Sequence, residues 1–480
     1  MSSAAETPLA KVKHRMAIAR RKRRGVALLM VLGSLAVLTV LVVELQEQSS
    51  STLSAALAER DALKAEYHAR SGVNLSRMLI ATEQPVRQAF APLWAAIGQK
   101  GGPPQIPVWK FTNLVLGPFN CPESQEEFTR VTQAGPDSGK NLGSTGGCFD
   151  IRIVDEDAKI NVNSGSRGDP FSQRQVGAAV LGLLSSPQYT PLFENADADG
   201  QYSNQPTICG ALVDWTDEDE NAYPCDPLAD SASASQGPED NYYQTVGLPY
   251  LRKNAPFDSM DEVRLIRGVS DDFWATFVDP NPADPDSRVL TVWGQGKVNV
   301  NTANAQTLLA LACAGAPEAP LCIDPEQMSI FLMAVTLARE VTQGMPVFRS
   351  PRGFVRALQG KGRGIGALFA ALGLEPITFK DPKLIEKAVQ TESRVFSIYV
   401  DGVVPGRQRE TRVRVHDVID FRSANELGAD AAAAAGQGSA SGSSSAEAPA
   451  TPSNEPPTPE QIAAALASDP LGVTVYHRIE

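Results

Sequence analysis

The chain has 480 residues, of which 42% are hydrophobic and 20% charged, and its formal net charge is -12. This length suffices for two to four compact domains. Residues 1–24 hold eight basic residues against one acid, so the rest of the chain carries a charge of -19. A body this acidic repels nucleic-acid phosphates. The charge therefore argues against general nucleic-acid binding and favours basic partners or divalent cations.

The first predicted element in chain order is a membrane-spanning helix. Residues 26–43, VALLMVLGSLAVLTVLVV, contain no charged residue and are long enough to cross a bilayer. The basic cluster before them predicts a cytoplasmic N-terminus, with everything after Val43 exported. The following ELQEQSSSTL lacks a small-x-small cleavage site, so composition alone favours an uncleaved signal anchor. We therefore expect a single-pass protein of the cell inner membrane whose bulk is periplasmic.

The pattern stays helical beyond the membrane. Apolar residues at helical spacing predict one helix from residue 26 to about residue 82, ended by Pro85, whose amphipathic second half lies against a sheet. Residues 84–147 are rich in Gly, Pro and polar residues and are predicted as loop. Residues 148–155 and 160–163 alternate apolar and polar side chains, which predicts two strands joined by a turn.

Short candidate helices separated by Pro or Gly follow between residues 170 and 390, and residues 396–416 predict a closing β-hairpin. The Ala/Gly/Ser/Pro-rich stretch after the hairpin predicts disorder, and residues 460–467 predict a short helix. The fold class is therefore α+β, with a helical domain inserted into a sheet. The predicted segments are a basic leader (1–25), a membrane helix (26–46), the rest of the long helix with the loop and first strands (47–163), an inserted helical domain (164–297), a second helical module (298–392), the closing hairpin (393–422), a linker (423–459) and a tail (460–480).

Six cysteines lie downstream of the apolar segment, and none forms a CxxC motif or a Cys/His cluster, which argues against a zinc site. In an oxidising periplasm disulfides are the expected state, with free buried thiols as the alternative. Six cysteines allow 15 pairings, and the sequence alone does not choose among them. Pairing each cysteine with its nearest neighbour gives three short bridges: Cys121–Cys148, Cys209–Cys225 and Cys313–Cys322.

The junction between the basic cluster and the apolar helix changes the interpretation of the anchor. Residues 20–26, RRKRRGV, resemble the prepilin-type signal, in which a basic leader ends in Gly directly before the apolar helix. The resemblance implies that a prepilin peptidase cuts between Gly25 and Val26, and Gly suits a protease cleft because it lacks a Cβ. Two residues depart from the commoner pattern. Val26 stands where Phe or Met is usual, and Met30 stands where most pilins carry Glu.

The apolar Met30 indicates a particular position in a filament. In pilins the carboxylate at this place is expected to pair with the N-terminal amine of the subunit ahead. An unpaired carboxylate in lipid is costly, so it is kept only where a partner exists. A subunit with no neighbour ahead of it has no such partner. Met30 therefore favours the tip position.

Five short motifs follow the leader. Residues 159–163 read KINVN, 211–220 ALVDWTDEDE, 237–243 GPEDNYY, 254–268 NAPFDSMDEVRLIRG and 298–303 VNVNTA. In order and spacing they resemble the general secretion pathway protein K family, and the resemblance covers roughly residues 20–420. It implies a pilin-like fold, with a long N-terminal helix and an antiparallel sheet, interrupted by mainly helical SAM-like modules.

The same resemblance implies a function. Members of this family are minor pseudopilins of the type II secretion system. At the tip of the periplasmic pseudopilus they start or cap assembly for export of folded proteins across the outer membrane. The implied partners are the I- and J-type minor pseudopilins, the major pseudopilin, the prepilin peptidase and the inner-membrane secretion platform. Removal of residues 1–25 would leave Val26 as an N-terminus open to methylation, and the bulky helical domain would obstruct a subunit stacking above it.

The family also implies a calcium site, and the residues support it independently. Asp217 and Asp219 alternate in a predicted loop, and Glu239 and Asp240 follow about twenty residues later. Hard oxygen ligands from two segments suit Ca²⁺, which takes six to eight oxygens. We expect these four acids to ligate the ion, and the alternative is a solvated acidic loop. Asp214, beside the loop, is expected to cap or buttress a helix instead.

Two rival classes of function remain to be weighed. Residues 297–311 resemble the entry to helix-hairpin-helix modules, so a signal-anchored, competence-like DNA-binding protein is the alternative. The Gly-x-Gly hairpin is missing at residues 312–317 and the body is acidic, so no nucleic-acid partner is expected. G-x-S-x-G, H-E-x-x-H and P-loop motifs are absent and the four His are scattered, so no enzyme activity is expected. His416 is predicted as a surface or sheet residue, and the asparagines of KINVN and VNVN as residues that bond local backbone.

Overall fold

The computed structural model of the protein describes residues 8–96, 102–117, 120–121, 146–194, 196, 200–225, 241–342, 344–361, 364–406, 409–424 and 469–480. The helices are α1 (Pro8–Ala81), α2 (Glu83–Ala96), α3 (Thr112–Val115), α4 (Pro170–Leu184), α5 (Gln205–Asp214), α6 (Asn241–Val246), α7 (Asp271–Phe273), α8 (Ala305–Gly315), α9 (Pro320–Ile323), α10 (Pro325–Thr342), α11 (Pro351–Leu358), α12 (Ile365–Ala371) and α13 (Pro382–Ala388). The strands are β1 (Cys148–Asp155), β2 (Ile160–Asn161), β3 (Leu290–Thr291), β4 (Val298–Asn299), β5 (Val389–Gln390), β6 (Val395–Val404), β7 (Thr411–Asp420) and β8 (Val473–Ile479).

The longest element is α1, with 74 residues and no proline after its first position. Residues 26–60 are all exposed, whereas beyond them one face of the helix packs on a sheet and buries Ala65, Ala69 and Val73. The approach is close because Gly402 lies under the helix. A Cβ built on Gly402 would stand 1.9 Å from the carbonyl oxygen of Ala65. The predicted long N-terminal helix is confirmed.

The sheet that faces α1 has four antiparallel strands in the order β1-β6-β7-β8. Its central strand β6 pairs with β1 on one side and with β7 on the other. Successive side chains of a strand point to opposite faces, and the face toward α1 carries the sheet's core. The buried side chains of that core include Phe149, Ile151, Ile398, Val400 and Val415. The predicted antiparallel sheet is confirmed.

Residues 84–96 correct the prediction that residues 84–147 lack regular structure, because they belong to α2. Pro85 lies in the first turn of this helix, where its missing N–H removes no intrahelical hydrogen bond. The helices α1 and α2 meet at Thr82, whose N–H donates to the carbonyl of Met78 at 3.1 Å. Residues 108–115 are helical as well, as a 3₁₀ turn followed by α3. Residues 122–145 lie outside the described part of the chain.

Between β1 and β6 the chain forms a mainly helical body. Its central contact joins α4 and α8, which approach so closely that a Cβ on Gly182 would stand 2.2 Å from the carbonyl oxygen of Ala310. Val180, Leu184 and Leu308 are buried in the surrounding core. Two short parallel ladders, β2 with β3 and β4 with β5, cross this body. The helical body is thus inserted into the sheet between its first and second strands.

The C-terminal region corrects a second expectation. The sequence predicts a closing hairpin of two strands followed by a tail with a short helix, and the structure adds β8 from that tail as a fourth strand along β7. Its sequence, VTVYHRI, is rich in β-branched and aromatic residues, which is an ordinary strand signal. The predicted helix over residues 460–467 lies outside the described residues, and so do residues 425–459 of the stretch 423–459 that is predicted to be disordered.

Three disulfides join the six cysteines in the nearest-neighbour pattern. Cys121–Cys148 ties residues 120–121 to the first residue of β1. Cys209–Cys225 and Cys313–Cys322 lie within the helical body.

Candidate functional site

The acidic loop, residues 217–220, directly follows α5 and its turn. Helix α5 begins at an N-cap, Asn204, whose Oδ1 accepts from the Thr207 N–H at 3.0 Å. After the helix Trp215 is buried and stacks on Phe257, with ring centroids 6.2 Å apart and an interplanar angle of 9°. This aromatic anchor fixes where the loop leaves the helical body.

Asp217 is the buried acid of the loop, with 2% of its surface exposed. Its Oδ2 accepts from the Gln173 side-chain amide on α4 at 3.0 Å. Its Oδ1 has no hydrogen-bond partner within the part of the chain that the structure describes. Burial, and then the charge of Asp219, raise the pKa of the Asp217 carboxyl to about 7. An orphaned carboxylate oxygen beside a second acid is the arrangement that a bound cation would relieve.

Asp219 is exposed and forms the outer side of the loop. Its Oδ1 accepts from the Asn221 N–H at 2.7 Å, and its carbonyl accepts from Arg252 Nη2 at 2.9 Å. Asp214 behaves differently, since its Oδ1 accepts from the Tyr223 N–H at 2.7 Å and so braces the chain after the loop against α5. The interpretation of Asp214 as a buttress agrees with this contact.

Glu239 and Asp240, the other two predicted calcium ligands, lie outside the described residues. Among the residues that are described, no three His, Cys, Asp or Glu side chains come together in a group that could hold a metal ion. The structure therefore places Asp217 and Asp219 side by side without testing the full set, and the calcium site stays a prediction. The Cys209–Cys225 bridge closes the chain around this loop, from α5 to the residue before the undescribed segment.

The asparagines of KINVN and VNVN hold the helical body together. Asn161 Oδ1 accepts from the Asn163 N–H at 2.9 Å, and Asn299 Oδ1 accepts from the Asn301 N–H at 3.0 Å, which are the expected local bonds. The second asparagine of each pair binds a distant segment that the sequence does not indicate. Asn163 bonds both the N–H and the carbonyl of Phe257, and Asn301 does the same with Phe348.

The same arrangement therefore occurs twice in the body. The first asparagine of each N-x-N motif ends a two-residue strand of a parallel ladder. The second asparagine binds the backbone of a Phe that lies two residues before a Ser at the N-cap of a helix. These Ser are Ser259 and Ser350. The repeated signal, K-[IV]-N-V-N with a later Phe-x-Ser, is visible in the sequence once the contacts are known.

A cluster of buried polar side chains in residues 155–159 joins the helical body to the sheet. The sequence predicts only a turn at these residues. Lys159 Nζ lies 3.0 Å from Glu156 Oε1, with each side chain 3% exposed. Asp157 Oδ2 accepts from the backbone N–H of Arg394 at 2.7 Å. Asp155 Oδ2 accepts from Ser393 Oγ at 2.5 Å, and burial followed by the charge of Asp157 raises the pKa of Asp155 to about 7.

His416 is a sheet residue but not a surface residue, because it lies 8% exposed in β7. Its ring stacks on Tyr399 with centroids 4.0 Å apart. Burial lowers the pKa of His416 to about 3, so the ring is neutral at physiological pH. A neutral, stacked ring fits a packing role.

The predicted cleavage junction lies within α1, which runs without a break through Gly25 and Val26. Val26 is 53% and Met30 71% exposed. Of the described helices, α1 alone is long and apolar enough to cross a membrane, and no other described residue covers its apolar stretch. Cleavage and the tip role of Met30 stay predictions.

These features define a class: a protein with an exposed apolar N-terminal helix whose second half packs on an antiparallel sheet, with a helical body inserted into that sheet. Residues 147–277 match the family model described as type II secretion system (T2SS), protein K. This match confirms the resemblance to the protein K family that the five motifs indicate.

Two curated relatives carry the name type II secretion system protein K. The protein of Klebsiella pneumoniae is 25% identical over 251 residues, which cover 52% of this chain and 59% of the relative. The protein of Aeromonas hydrophila is 27% identical over 203 residues, which cover 41% of this chain and 50% of the relative. The chain thus spans between half and three fifths of the length of these relatives. Because both are secretion-system proteins, the DNA-binding alternative gains no support.

Among solved structures, the chain is similar to one from the GspK-GspI-GspJ complex of the enterotoxigenic Escherichia coli type 2 secretion system. The TM-score is 0.34 and the identity 16%, and the match covers 57% of this chain and 75% of the other. A likeness at this TM-score has no weight for the fold or for partners.

Proposed function

We propose that this chain is a minor pseudopilin of the type II secretion system that stands at the tip of the periplasmic pseudopilus. There it would start or cap assembly for the export of folded proteins across the outer membrane. The observation that carries the proposal is the match of residues 147–277 to the protein K family, a stretch that begins with β1 and includes the acidic loop. The role is structural, and we assign no catalytic residue.

The shape of α1 supports the proposal. Its exposed apolar part, residues 26–43, leads without interruption into the part that packs on the sheet. Such a helix anchors a folded periplasmic body in the inner membrane and offers its apolar surface to the helices of partner subunits. We infer a cytoplasmic N-terminus from the basic cluster before Val26.

The inserted body supports the tip position. We interpret α1 and the sheet as a pilin-like fold, and the two halves of the helical body, each with its N-x-N latch, as SAM-like modules. A body of this size would block a further subunit above it. Met30 fits the same position because it removes the acid that a subunit ahead would pair. The partners we propose are the I- and J-type minor pseudopilins, the major pseudopilin, the prepilin peptidase and the inner-membrane secretion platform.

Calcium is the proposed cofactor of the acidic loop. The orphaned Oδ1 of Asp217 and its neighbour Asp219 supply two hard oxygen ligands, which fits Ca²⁺. Glu239 and Asp240, which follow Cys225 in the sequence, would complete the set. Bound calcium would favour the ionised form of Asp217 against the burial and the Asp219 charge that raise its pKa, and would hold the loop in one arrangement.

The first test is the N-terminus of the membrane-extracted protein, expressed with and without an active prepilin peptidase. Intact mass and N-terminal sequencing should give a chain that begins at Val26, with a methylated amine, only when the peptidase is present. Gly25→Leu should block the cut, because a branched side chain fills the space that the protease cleft needs. Gly33→Leu is the matched control, since a Cβ on Gly33 meets nothing within 4 Å. A chain that keeps residues 1–25 beside an active peptidase would refute the pseudopilin assignment.

The second test is calcium binding by isothermal titration. Asp217→Asn and Asp219→Asn should each weaken Ca²⁺ binding at least about tenfold, since each removes one charged ligand. Asp271→Asn is the control, because Asp271 is an exposed acid whose partner is Arg264. Equal calcium affinity in all three variants and the wild type would remove the acidic loop as the site.

A further inference from the structure

The C-terminal strand β8 differs from the rest of the sheet in how it is held. It pairs with β7 from Val473 to Ile479, and the backbone of Glu480 exchanges two hydrogen bonds with Arg414, of 2.8 and 3.0 Å. No side chain of β8 is fully buried, whereas β6 buries eight of its ten. Val475 is 53% and Ile479 43% exposed. The strand is therefore attached through backbone pairing far more than through hydrophobic burial.

The side chains of β8 make separate contacts with residues on and beside β7. The Tyr476 ring lies 5.3 Å from Trp293 of the helical body and 5.2 Å from His416, measured between centroids. His477 Nδ1 lies 2.5 Å from Asp417 Oδ1. Each contact is specific in chemistry but local.

Two further contacts fix the ends of the strand. Arg478 reaches Asp261 of the helical body at 3.4 Å. At the other end Arg77 of α1 donates to the carbonyls of Leu471 and Gly472, at 2.9 and 2.6 Å, which aligns the chain as it enters the strand. Exposed ion pairs such as Arg478 with Asp261 add little net stability. This pair therefore contributes more to the specificity for a basic side chain than to the affinity of the strand.

The strand also forms one wall of a cavity of about 380 Å³ between the sheet and the helical body. Tyr476 and Arg478 line it from β8, and Trp293, His416 and Asp261 line it from the other side. His416 Nε2 is buried and has no hydrogen-bond partner among the described residues. If β8 dissociated from β7, the cavity would open along the edge of β7. Trp293, Asp417 and Asp261 would then be accessible to another peptide.

The connection to β8 permits such a departure. Residues 425–468 separate it from the rest of the sheet, and they contain no aromatic and no basic residue. A connection of this length reaches at most roughly 150 Å when extended, far more than the width of the sheet. A tethered ligand competes through its high effective concentration, which keeps a weak site filled without burying much surface.

We propose that the edge of β7, with Trp293, Asp417 and Asp261 beside it, is a peptide-binding site for an extended segment with an aromatic side chain followed by two basic ones. The strand Val473–Ile479 is its tethered and exchangeable ligand. Addition of a strand to a sheet edge is a known mode of peptide recognition, in which the backbone gives affinity and alternate side chains give specificity. The inference goes beyond the proposed secretion function and does not depend on it.

The test uses the full chain with a cleavage site for a specific protease inserted after residue 445. The probe is a labelled peptide of residues 469–480, and the measurement is fluorescence anisotropy. After cleavage the chain should exchange its own strand for the probe and bind it saturably. The uncut chain should bind the probe at least about 100-fold more weakly, because its tethered strand competes. A control peptide with Tyr476→Ala and Arg478→Glu should bind the cut chain at least about tenfold more weakly.

A second variant covers the case in which cleavage unfolds the chain. In the uncut chain, Tyr476→Ala combined with Arg478→Glu weakens the tethered strand and leaves β1, β6 and β7 unchanged. This variant should keep its far-UV circular dichroism and a cooperative unfolding transition, and should bind the wild-type probe that the uncut wild type excludes. A cut, folded chain that never exchanges its strand against excess probe would overturn the proposal. So would a folded double variant that binds no probe, because β8 would then be a permanent strand.

Discussion

The contact between α4 and α8 makes a sharp prediction about Gly182. A glycine inside a helix normally costs about 1 kcal/mol relative to alanine, so Gly182→Ala should stabilise the protein if the site has room. It has none, since the new Cβ would stand 2.2 Å from the Ala310 carbonyl oxygen and 2.8 Å from the Ala314 nitrogen. Both atoms belong to the backbone of α8 and cannot turn away. The two helices must therefore separate by about 1 Å to restore an ordinary contact distance.

The expected change in the free energy of unfolding is the difference between two opposing contributions. Overpacking a well-filled core costs about 1–3 kcal/mol or more, and here the separation also loosens the contacts of Val180 and Leu308. The gain in helix propensity offsets about 1 kcal/mol of this cost. We expect Gly182→Ala to lower the free energy of unfolding by about 2 kcal/mol.

The assay is urea denaturation of the detergent-solubilised chain with its disulfides intact, followed by tryptophan fluorescence. Gly353→Ala in α11 is the matched control, because a Cβ there would meet only Ser350 Oγ, at 3.5 Å. The control should equal the wild type or exceed its stability by up to about 1 kcal/mol. If Gly182→Ala is as stable as Gly353→Ala, this result would contradict the close approach of α4 to α8.

Two further predictions concern the polar groups. Burial raises the pKa of Asp155 to about 7 in the folded protein, so the folded state favours the protonated carboxyl. The free energy of unfolding should therefore fall as the pH rises from about 4 to 7. Asp155→Asn should remove roughly 3–4 kcal/mol of this pH dependence, which urea midpoints from pH 4 to 8 would measure, and an unchanged slope would contradict it. Asn163→Ala leaves both backbone groups of Phe257 without their partner and should cost about 3 kcal/mol by thermal or urea unfolding. The exposed Asn281→Ala should cost under about 0.5 kcal/mol, and equal losses would contradict the latch.

The sequence is most informative where one physical signal dominates. The apolar run from Val26 and the leucines at helical spacing after it predict one long helix, part of which packs on a sheet. The alternation at β1, β6 and β7 likewise specifies strands with one buried face. These elements depend on neighbours a few residues away, so a local pattern suffices to predict them.

The missed elements depend on contacts far along the chain. Residues 84–96 hold two prolines but no glycine, and they form α2; the loop prediction extended the Gly-rich composition of later residues to them. The seven residues of β8 are an ordinary strand signal in an otherwise low-complexity tail, and only pairing with β7 gives them a place. The acids of residues 155–157 read as a surface turn because their partners, such as Ser393 and Arg394, lie more than 200 residues later.

The candidate site, too, can be predicted from the sequence only in part. The alternation of Asp217 and Asp219 marks an acidic loop, and the pattern alone does not say which acid is buried. Burial of Asp217 depends on Gln173 and on the aromatic stack behind Trp215. The roles of Asn163 and Asn301 as long-range latches also emerge only from the contacts, because their distant partners carry no matching polar side chain.

The order of strands along the chain also has a consequence for folding during export. The strand β1 pairs with β6, which follows it by about 240 residues. If the chain is exported as we propose, β1 emerges before β6, and its edge stays unpaired until the intervening helical body has followed. Until β6 is available, the backbone groups along that edge of β1 lack a strand partner, and unpaired strand edges make partly folded chains prone to aggregation. Completion of the sheet also requires β8, so its last strand pairing forms only when residues 473–479 are available.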